Sequence, residues 1–420
     1  MAASLGATRQ ADDIIGLLDI GNSKTVCLIA AVPMSGRGPS RPRVLGIGVQ
    51  PTRGLKAGVV VALDEAEQAV RAAVAQAERS AGVRVEEVFL SVACGRLKSS
   101  TFTANTEIEG RVVGSADIER LMAAARTHVE RDGRTLLHMN CISYRLDGTA
   151  GIGDPLGLAG RTLGADLHAV TADEAPLRNM VHVVERAYLS ASALVPAPYA
   201  SALAATTGEE RQLGVLCLDI GAGTTSVATF AQGHLLSSEV VPMGGNHATF
   251  DIAQALSASV YEAERIKMDH VSLARVASDD QDVIAYVPAD EEEGAGSRTT
   301  KGQVRGVVRD RVLRLFGDVA ARLERSDTAR YAKRIVLTGG ASQQEGLGEL
   351  AADFFARPVR IARMQPIDGL PAGFASPAFS TAVGLVQVAL DPSAGTQWQQ
   401  GGVETRGYLR RMGQWLRESF

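Results

Sequence analysis

Residues 18–30 read LDIGNSKTVCLIA, and residues 218–230 read LDIGAGTTSVATF. In each copy an apolar run delivers an aspartate, Asp19 or Asp219, and the glycine two places on, Gly21 or Gly221, permits a tight turn into a second apolar run. The pattern predicts two hairpins whose turn N–H groups face whatever lies across them, with a bare glycine letting an anion come close. One such hairpin is commonplace. Two, each opening a stretch of alternating strands and helices, predict two related halves facing one nucleotide.

In that geometry Asn22, Ser23 and Lys24 hold β- and γ-phosphates, with Lys24 as the cation, and Ala222, Gly223, Thr224 and Thr225 close from the other side. Asp19 and Asp219 are then the expected holders of a hydrated Mg²⁺, an ion that keeps most of its waters and is often bound through few carboxylates. A third element agrees. Residues 336–347, VLTGGASQQEGL, end a strand in two glycines and predict a helix from near Ser342. Gly339 and Gly340 would lie flat against an adenosine, with the helix N-terminus at Ser342 directed to the ligand.

Composition sets the bounds. A chain of 420 residues with 45% apolar content is too long for one ordinary core, so two or more domains are expected. Its 43 basic and 47 acidic side chains nearly balance, which offers no global footprint for nucleic acid and makes any membrane contact local. The cysteines at 27, 94, 141 and 217 stand far apart and read as reduced, buried thiols of a cytosolic protein. His138 and Cys141 are spaced like half a metal site, but no second ligand pair accompanies them, and a strand surface is the simpler reading. The chain start lacks a basic segment followed by an apolar one, and no apolar run reaches spanning length, so a protein neither secreted nor spanning is expected.

Along the chain the pattern predicts a strand pair around 44–50 and a helix over 64–81. Asp64 is its expected cap, Glu67 closes a capping box, and Gly82 stops it. A strand over 88–93 follows. Between Cys94 and Asp166, short β runs, a helix capped by Ser115 and the loop GTAGIGDPLGLAG read as a small inserted domain. Regular texture resumes with a strand at 168–171, a helix over 173–187 and another from Pro198. Then come a helix over 254–267, a strand over 283–288, an acidic solvated loop over 289–300, a helix over 304–325, a strand over 334–338 and a helix over 379–390. Residues 391–406, rich in Pro, Ser, Gly, Gln and Thr, read as a flexible linker.

The two phosphate hairpins and the diglycine turn, in this order, resemble the actin superfamily over residues 14–390. That resemblance implies an α/β, actin-like (ribonuclease H-like) two-lobed fold binding ATP and Mg²⁺. Within it the chain resembles the FtsA family of bacterial cell-division proteins. The insertion follows strand 88–93, where that family places its 1C subdomain, and HMNCISYRLDGTAGIGDPLGLAG at 138–160 is similar to its pattern there. GEERQLGVLCLDIGAGTT at 208–225 and VPMGGNHATFDIA at 241–253 resemble the family's entry to and exit from the second hairpin. Glu264 and Lys267 occupy the E-x-x-K helix that the superfamily turns toward the ribose.

The resemblance implies subdomain 1A over 1–87 and 168–206, 1C over 88–167, 2A over 207–254 and 331–378, and 2B over 255–330, with 379–390 as a helix returning to 1A. It further implies self-assembly into filaments, an FtsZ contact carried largely by 255–330, and contacts of the insertion with the next protomer or with later division proteins. One position departs from the superfamily. DnaK-type chaperones carry Glu, and actin Gln, where the attacking water is oriented; the matching residue here is Ala197 in PAPYASA, which can neither abstract a proton nor aim a water. Slow hydrolysis is therefore expected.

The last stretch, GYLRRMGQWLRESF at 407–420, is about 21 Å long as a helix. It sets Tyr408, Leu409, Met412, Trp415, Leu416 and Phe420 on one face and Arg410, Arg411, Gln414, Arg417 and Glu418 on the other. Apolar bulk flanked by arginines suits the lipid interface, and docking on the protein's own body or on a partner is the alternative. The resemblance favours a membrane-targeting helix at the cytoplasmic face of the inner membrane, at the division site. A PilM-like pilus-assembly adaptor, which shares the insertion, and a kinase of the same superfamily are the other readings.

Overall fold

The computed structural model describes residues 13–32, 41–110, 112–129, 133–274, 281–289 and 296–390. The expected linker, the tail and the acidic stretch 290–293 lie outside these residues.

The chain opens with β1 (Asp13–Ile20), β2 (Lys24–Val32) and β3 (Arg43–Pro51), an antiparallel meander in which Asp19 pairs with Val26 and Ile20 with Thr25. The second strand pair expected around 44–50 is a single strand, β3, laid against β2. A small hairpin of β4 (Leu55–Lys56) and β5 (Val59–Val60) leads into α1 (Leu63–Ala81), then β6 (Glu87–Val92). Helix α1 buries Ala66, Ala69, Val70, Ala73, Val74 and Ala77 and stops at Gly82, which is left-handed as expected. The expected capping box is absent. Ala62 is the N-cap, and Asp64 and Glu67 instead pair with Arg186 at 2.7 and 2.6 Å.

The insertion holds β7 (Lys98–Glu107), α2 (Ser115–Val129), β8 (Arg134–Leu146), β9 (Thr149–Ile152) and β10 (Thr162–Asp173) in a sheet ordered β7-β10-β8-β9. Its strands are longer than the short runs expected, because alternation of small and polar residues hides strand periodicity from a hydrophobicity count. The separate strand expected at 168–171 is the end of β10, which runs unbroken past residue 167 and stays paired with β7 and β8 in the insertion sheet.

After α3 (Glu174–Arg186) and β11 (Ser190–Pro196), the first sheet is complete in the order β11-β6-β1-β2-β3. Helix α4 (Ala197–Ala205) and the short α5 (Gly208–Leu213) cross to the second lobe. There β12 (Val215–Ile220), β13 (Thr225–Ala231) and β14 (His234–Val241) repeat the meander, with Asp219 opposite Ser226 and Ile220 opposite Thr225. Helices α6 (Gly245–Leu256) and α7 (Val260–His270) follow. Where one helix over 254–267 is expected, the chain breaks at Ser257, which is left-handed with φ 50°.

Next come β15 (Val283–Tyr286), β16 (Ser297–Thr300), α8 (Lys301–Arg325) and β17 (Arg334–Thr338). Strand β16 falls within the stretch expected to be loop, where it pairs antiparallel with β15. Residues 340–343 form a 3-10 turn, and α9 (Leu347–Phe355) begins five residues later than the helix expected at Ser342. Strand β18 (Val359–Ile361) completes a sheet ordered β14-β13-β12-β17-β18, and α10 (Ser380–Leu390) ends the described chain. In each sheet, three antiparallel strands are extended by two parallel ones beside the aspartate-bearing strand, so the duplication in sequence is a duplication of architecture.

Three cores result. One fills the first lobe and runs into the inner faces of β12, β13 and β17, with α10 buried against α4 inside it. A second sits under α6–α9, and a third inside the insertion. The four cysteines are free and buried, as expected. Among the described residues no helix is long and apolar enough to cross a membrane.

Candidate functional site

The two hairpins face each other across a cavity of about 910 Å³. At each turn the glycine N–H closes the loop, Gly21 onto the Lys24 carbonyl at 3.0 Å and Gly221 onto the Thr224 carbonyl at 2.9 Å. The turns also touch. Asn22 Oδ1 accepts from the Gly58 N–H at 2.9 Å, and a Cβ placed on Gly223 would lie 2.5 Å from Asn22 Cγ. The second turn is tied to the start of α6, where the Gly245 and Asn246 N–H groups donate to the carbonyls of Gly221 and Ala222 at 2.9 and 2.8 Å.

The floor carries the two aspartates. Ser91 Oγ donates to Asp19 Oδ1 at 2.5 Å, and Thr381 Oγ1 donates to Asp219 Oδ2 at 3.1 Å. Burial pushes both carboxyls up. In Asp219, to about 6, the charge of Asp19 adds to the burial; in Asp19 the Ser91 bond and Lys24 oppose it. Burial lowers the Lys24 ammonium, against the pull of the same two carboxylates. Two carboxylates whose proton affinity burial raises, with the charge of Asp19 adding to it at Asp219, form a donor set that a divalent cation would relieve. Among the described residues there is no cluster of three His, Cys, Asp or Glu side chains suited to a metal, and His138 and Cys141 are buried on β8.

Toward the other end, Lys267 Nζ on α7 donates to Glu264 Oε2 and to Thr249 Oγ1, both at 2.7 Å. Gly339 closes this side with φ +86°; a side chain there would place its Cβ 2.3 Å from Asp219 Oδ1, so only glycine fits. Asp19, Gly21, Asn22, Ser23, Lys24, Asp219, Gly221, Ala222, Gly223, Thr224, Glu264, Lys267, Gly339, Gly340 and Ala197 all line the cavity.

Two residues assigned to the site from sequence do not line it. Thr225 is fully buried, its hydroxyl donating to the Met243 carbonyl at 2.8 Å, because it is already the first residue of β13. Ser342 is buried with its hydroxyl on the Gly339 carbonyl at 2.7 Å, so it braces the diglycine turn from behind. Sequence reading missed Gly58, Ser91, Gly244, Gly245, Arg311 and Thr381. Gly244 and Gly245 carry the signal used at 339–340, a diglycine between strand and helix. Arg311 lines the cavity and is held by both oxygens of Asp251 at 2.5 and 2.6 Å, a contact between α8 and α6 that no local spacing announces.

A duplicated pair of sheets, each delivering an Asp–Gly hairpin to one interlobe cleft, defines the actin-like fold class. Solved structures agree. The PilM-PilN type IV pilus biogenesis complex superposes with a TM-score of 0.61 at 18% identity, covering 90% of this chain and 99% of that one. MreB5 of Spiroplasma citri bound to ADP does so with a TM-score of 0.52 at 14% identity, covering 92% and 99%.

Sequence comparison is narrower. The family model described as cell division protein FtsA matches residues 216–384, and that of the SHS2 domain inserted in FtsA matches residues 94–171. The cell division protein FtsA of Rhizobium meliloti is 39% identical over 97% of this chain and 95% of its own length; that of Escherichia coli is 30% identical over 97% and 98%. The FtsA of Pseudomonas aeruginosa is 35% identical over 91% of each. The chain belongs to the FtsA family of cell division proteins.

Proposed function

We propose that this chain is an ATP-binding cell-division protein that polymerises at the cytoplasmic face of the inner membrane, at the division site. There it tethers the FtsZ ring through its C-terminal amphipathic stretch and recruits later division proteins. The observation that carries the nucleotide part is the pair of buried aspartates beneath two facing glycine hairpins, in a chain of the FtsA family. Asp19 and Asp219 would hold hydrated Mg²⁺, which supplies charge neutralisation to the phosphates. Asn22, Ser23, Lys24, Gly223 and Thr224 would hold the phosphates, Gly339 and Gly340 the adenosine, and Glu264 and Lys267 the ribose. Ala197, at the first position of α4 and on the cavity wall, supports slow turnover.

Membrane attachment rests on sequence. Tyr408, Leu409, Met412, Trp415, Leu416 and Phe420 supply apolar bulk, and Arg410, Arg411 and Arg417 supply charge toward anionic lipid. A single helix of this length binds weakly, and many tails on one filament gain avidity, so assembly and membrane binding are coupled in this reading. The segment 255–330 would carry much of the FtsZ contact, and the insertion would meet the next protomer or later division proteins. Relatives named FtsA that match along 97% of the chain favour this reading over a pilus adaptor or a kinase.

Co-sedimentation with anionic vesicles and Mg-ATP tests it, comparing the full chain with one ending at Gln400, each with and without purified FtsZ. The full chain alone should bring FtsZ down. If neither form pellets, tethering through the tail is wrong.

A further inference from the structure

The turn leading into α10 touches several parts of the cleft at once. The Pro377 carbonyl accepts from the Gly339 N–H at 3.0 Å, Ala378 packs beside Gly340, and Thr381 holds Asp219. Between them, Phe379 carries Lys24 on its ring, with Nζ 3.8 Å from the centroid. The ring is braced by Phe374, centroid to centroid 4.9 Å. Its neighbours Ala378 and Ser380 line the cavity, while Phe379 stands behind Lys24.

Lys24 has two buried carboxylates as electrostatic neighbours, Asp19 in its own hairpin and Asp219 across the cleft. Among the described residues it nevertheless forms no ion pair with either. A flexible ammonium this close to two carboxylates would ordinarily fold onto one of them and cancel its charge. A neutral aromatic face holds a cation without neutralising it, and does so best where water is excluded.

We propose that Phe379 is a positioning residue for Lys24: its ring holds the ammonium off Asp19 and Asp219. The cation is thereby kept for a polyphosphate, and the two carboxylates for a divalent cation. The inference rests on the nucleotide reading above and adds a residue to it, one that does not line the cavity and acts through Lys24.

Calorimetric titration of the full chain with Mg-ATP tests it, using wild type, Phe379→Leu, Phe379→Tyr, Lys24→Met and the Phe379→Leu, Lys24→Met double variant. Phe379→Leu should weaken binding about three- to tenfold and raise the Mg²⁺ concentration needed by a similar factor, while Phe379→Tyr, which keeps the ring, binds like wild type. In the Lys24→Met background, Phe379→Leu should add nothing. Wild-type-like binding by Phe379→Leu, or an equal loss in both backgrounds, overturns the inference and leaves the nucleotide reading intact. A wild-type chain that binds no Mg-ATP overturns both.

If Phe379→Leu does not fold, the wild-type chain with ¹³C-dimethylated lysines still decides. The Lys24 methyl signal, identified by its loss in Lys24→Met, should be shifted upfield by the ring and should move back on adding Mg-ATP. A signal at the ordinary lysine position overturns the inference.

Discussion

Gly223 in the second hairpin lies against the side chain of Asn22 in the first, so close that a methyl group on Gly223 would stand 2.5 Å from Asn22 Cγ. Asn22 cannot simply swing away, since its Oδ1 is held by the Gly58 N–H. The two lobes therefore meet at the hairpin turns, where the ligand would be clasped.

Gly223→Ala should accordingly wedge the turns apart. Overpacking of this kind costs about 1–3 kcal/mol, and here it falls on the closed cleft more than on either lobe, so Mg-ATP affinity should drop roughly tenfold or more while the unfolding midpoint moves little. Calorimetry and urea denaturation on the same variant separate the two. Unchanged affinity would mean that the turns do not clasp the nucleotide together.

Gly384 on α10 makes the opposite prediction. A Cβ there would lie 1.8 Å from the Ala200 carbonyl oxygen on α4, in the middle of the first core. Gly384→Ala should destabilise the fold by about 1–3 kcal/mol or more, read as a lower urea midpoint at unchanged slope. A midpoint equal to wild type would rule out this helix crossing.

Acid should loosen the seam between the insertion and the second lobe. There His168 Nδ1 and Nε2 meet Asn140 Oδ1 and Ser99 Oγ at 3.2 and 3.1 Å; Ser99 and Asn140 in turn bond the backbone of β14, and the His138 ring lies 4.5 Å from Tyr199. Burial lowers His138 to about 4, partly offset by Asn140, and His168 to about 3, with the charge of His138 adding to it. Both values lie below the ordinary 6.5, so the unfolded chain binds more protons in between, and stability is lost as pH falls from 6.5 toward 4 and then 3. The urea midpoint of wild type should fall across that window more steeply than that of His168→Asn. Parallel curves would contradict the prediction.

Hydrolysis should be slow. Ala197 opens α4 on the cavity wall with a methyl group, at the position where the resemblance to the actin superfamily implies a water-orienting Glu or Gln. Phosphate release from Mg-ATP should run well below about one turnover per second. A faster rate would mean that another group orients the water.

Some elements could be read from short windows and others could not. Strand β17 matches its expected bounds, and α8 and α10 match to within three residues at their starts, because apolar periodicity and flanking turn residues are local signals. The break between α6 and α7 was hidden because Ser257 in a left-handed turn looks no different in sequence from a serine on a helix face. The capping box at α1 failed for a different reason: Arg186, brought in from α3, pairs with both acids and leaves Ala62 as the cap.

The sequence by itself determined the duplication. Aspartate, glycine turn and apolar strand lie within thirteen consecutive residues in each copy, and backbone sterics act at that range. It also settled the family. What only the tertiary structure decided is which distant groups meet: Thr381 with Asp219 across 162 positions, Gly223 with Asn22, Arg311 with Asp251, and Lys24 with Phe379. Those pairings follow from how two lobes and a returning helix pack around one cleft. Close packing is a property of the whole surface in contact, which no window of sequence contains.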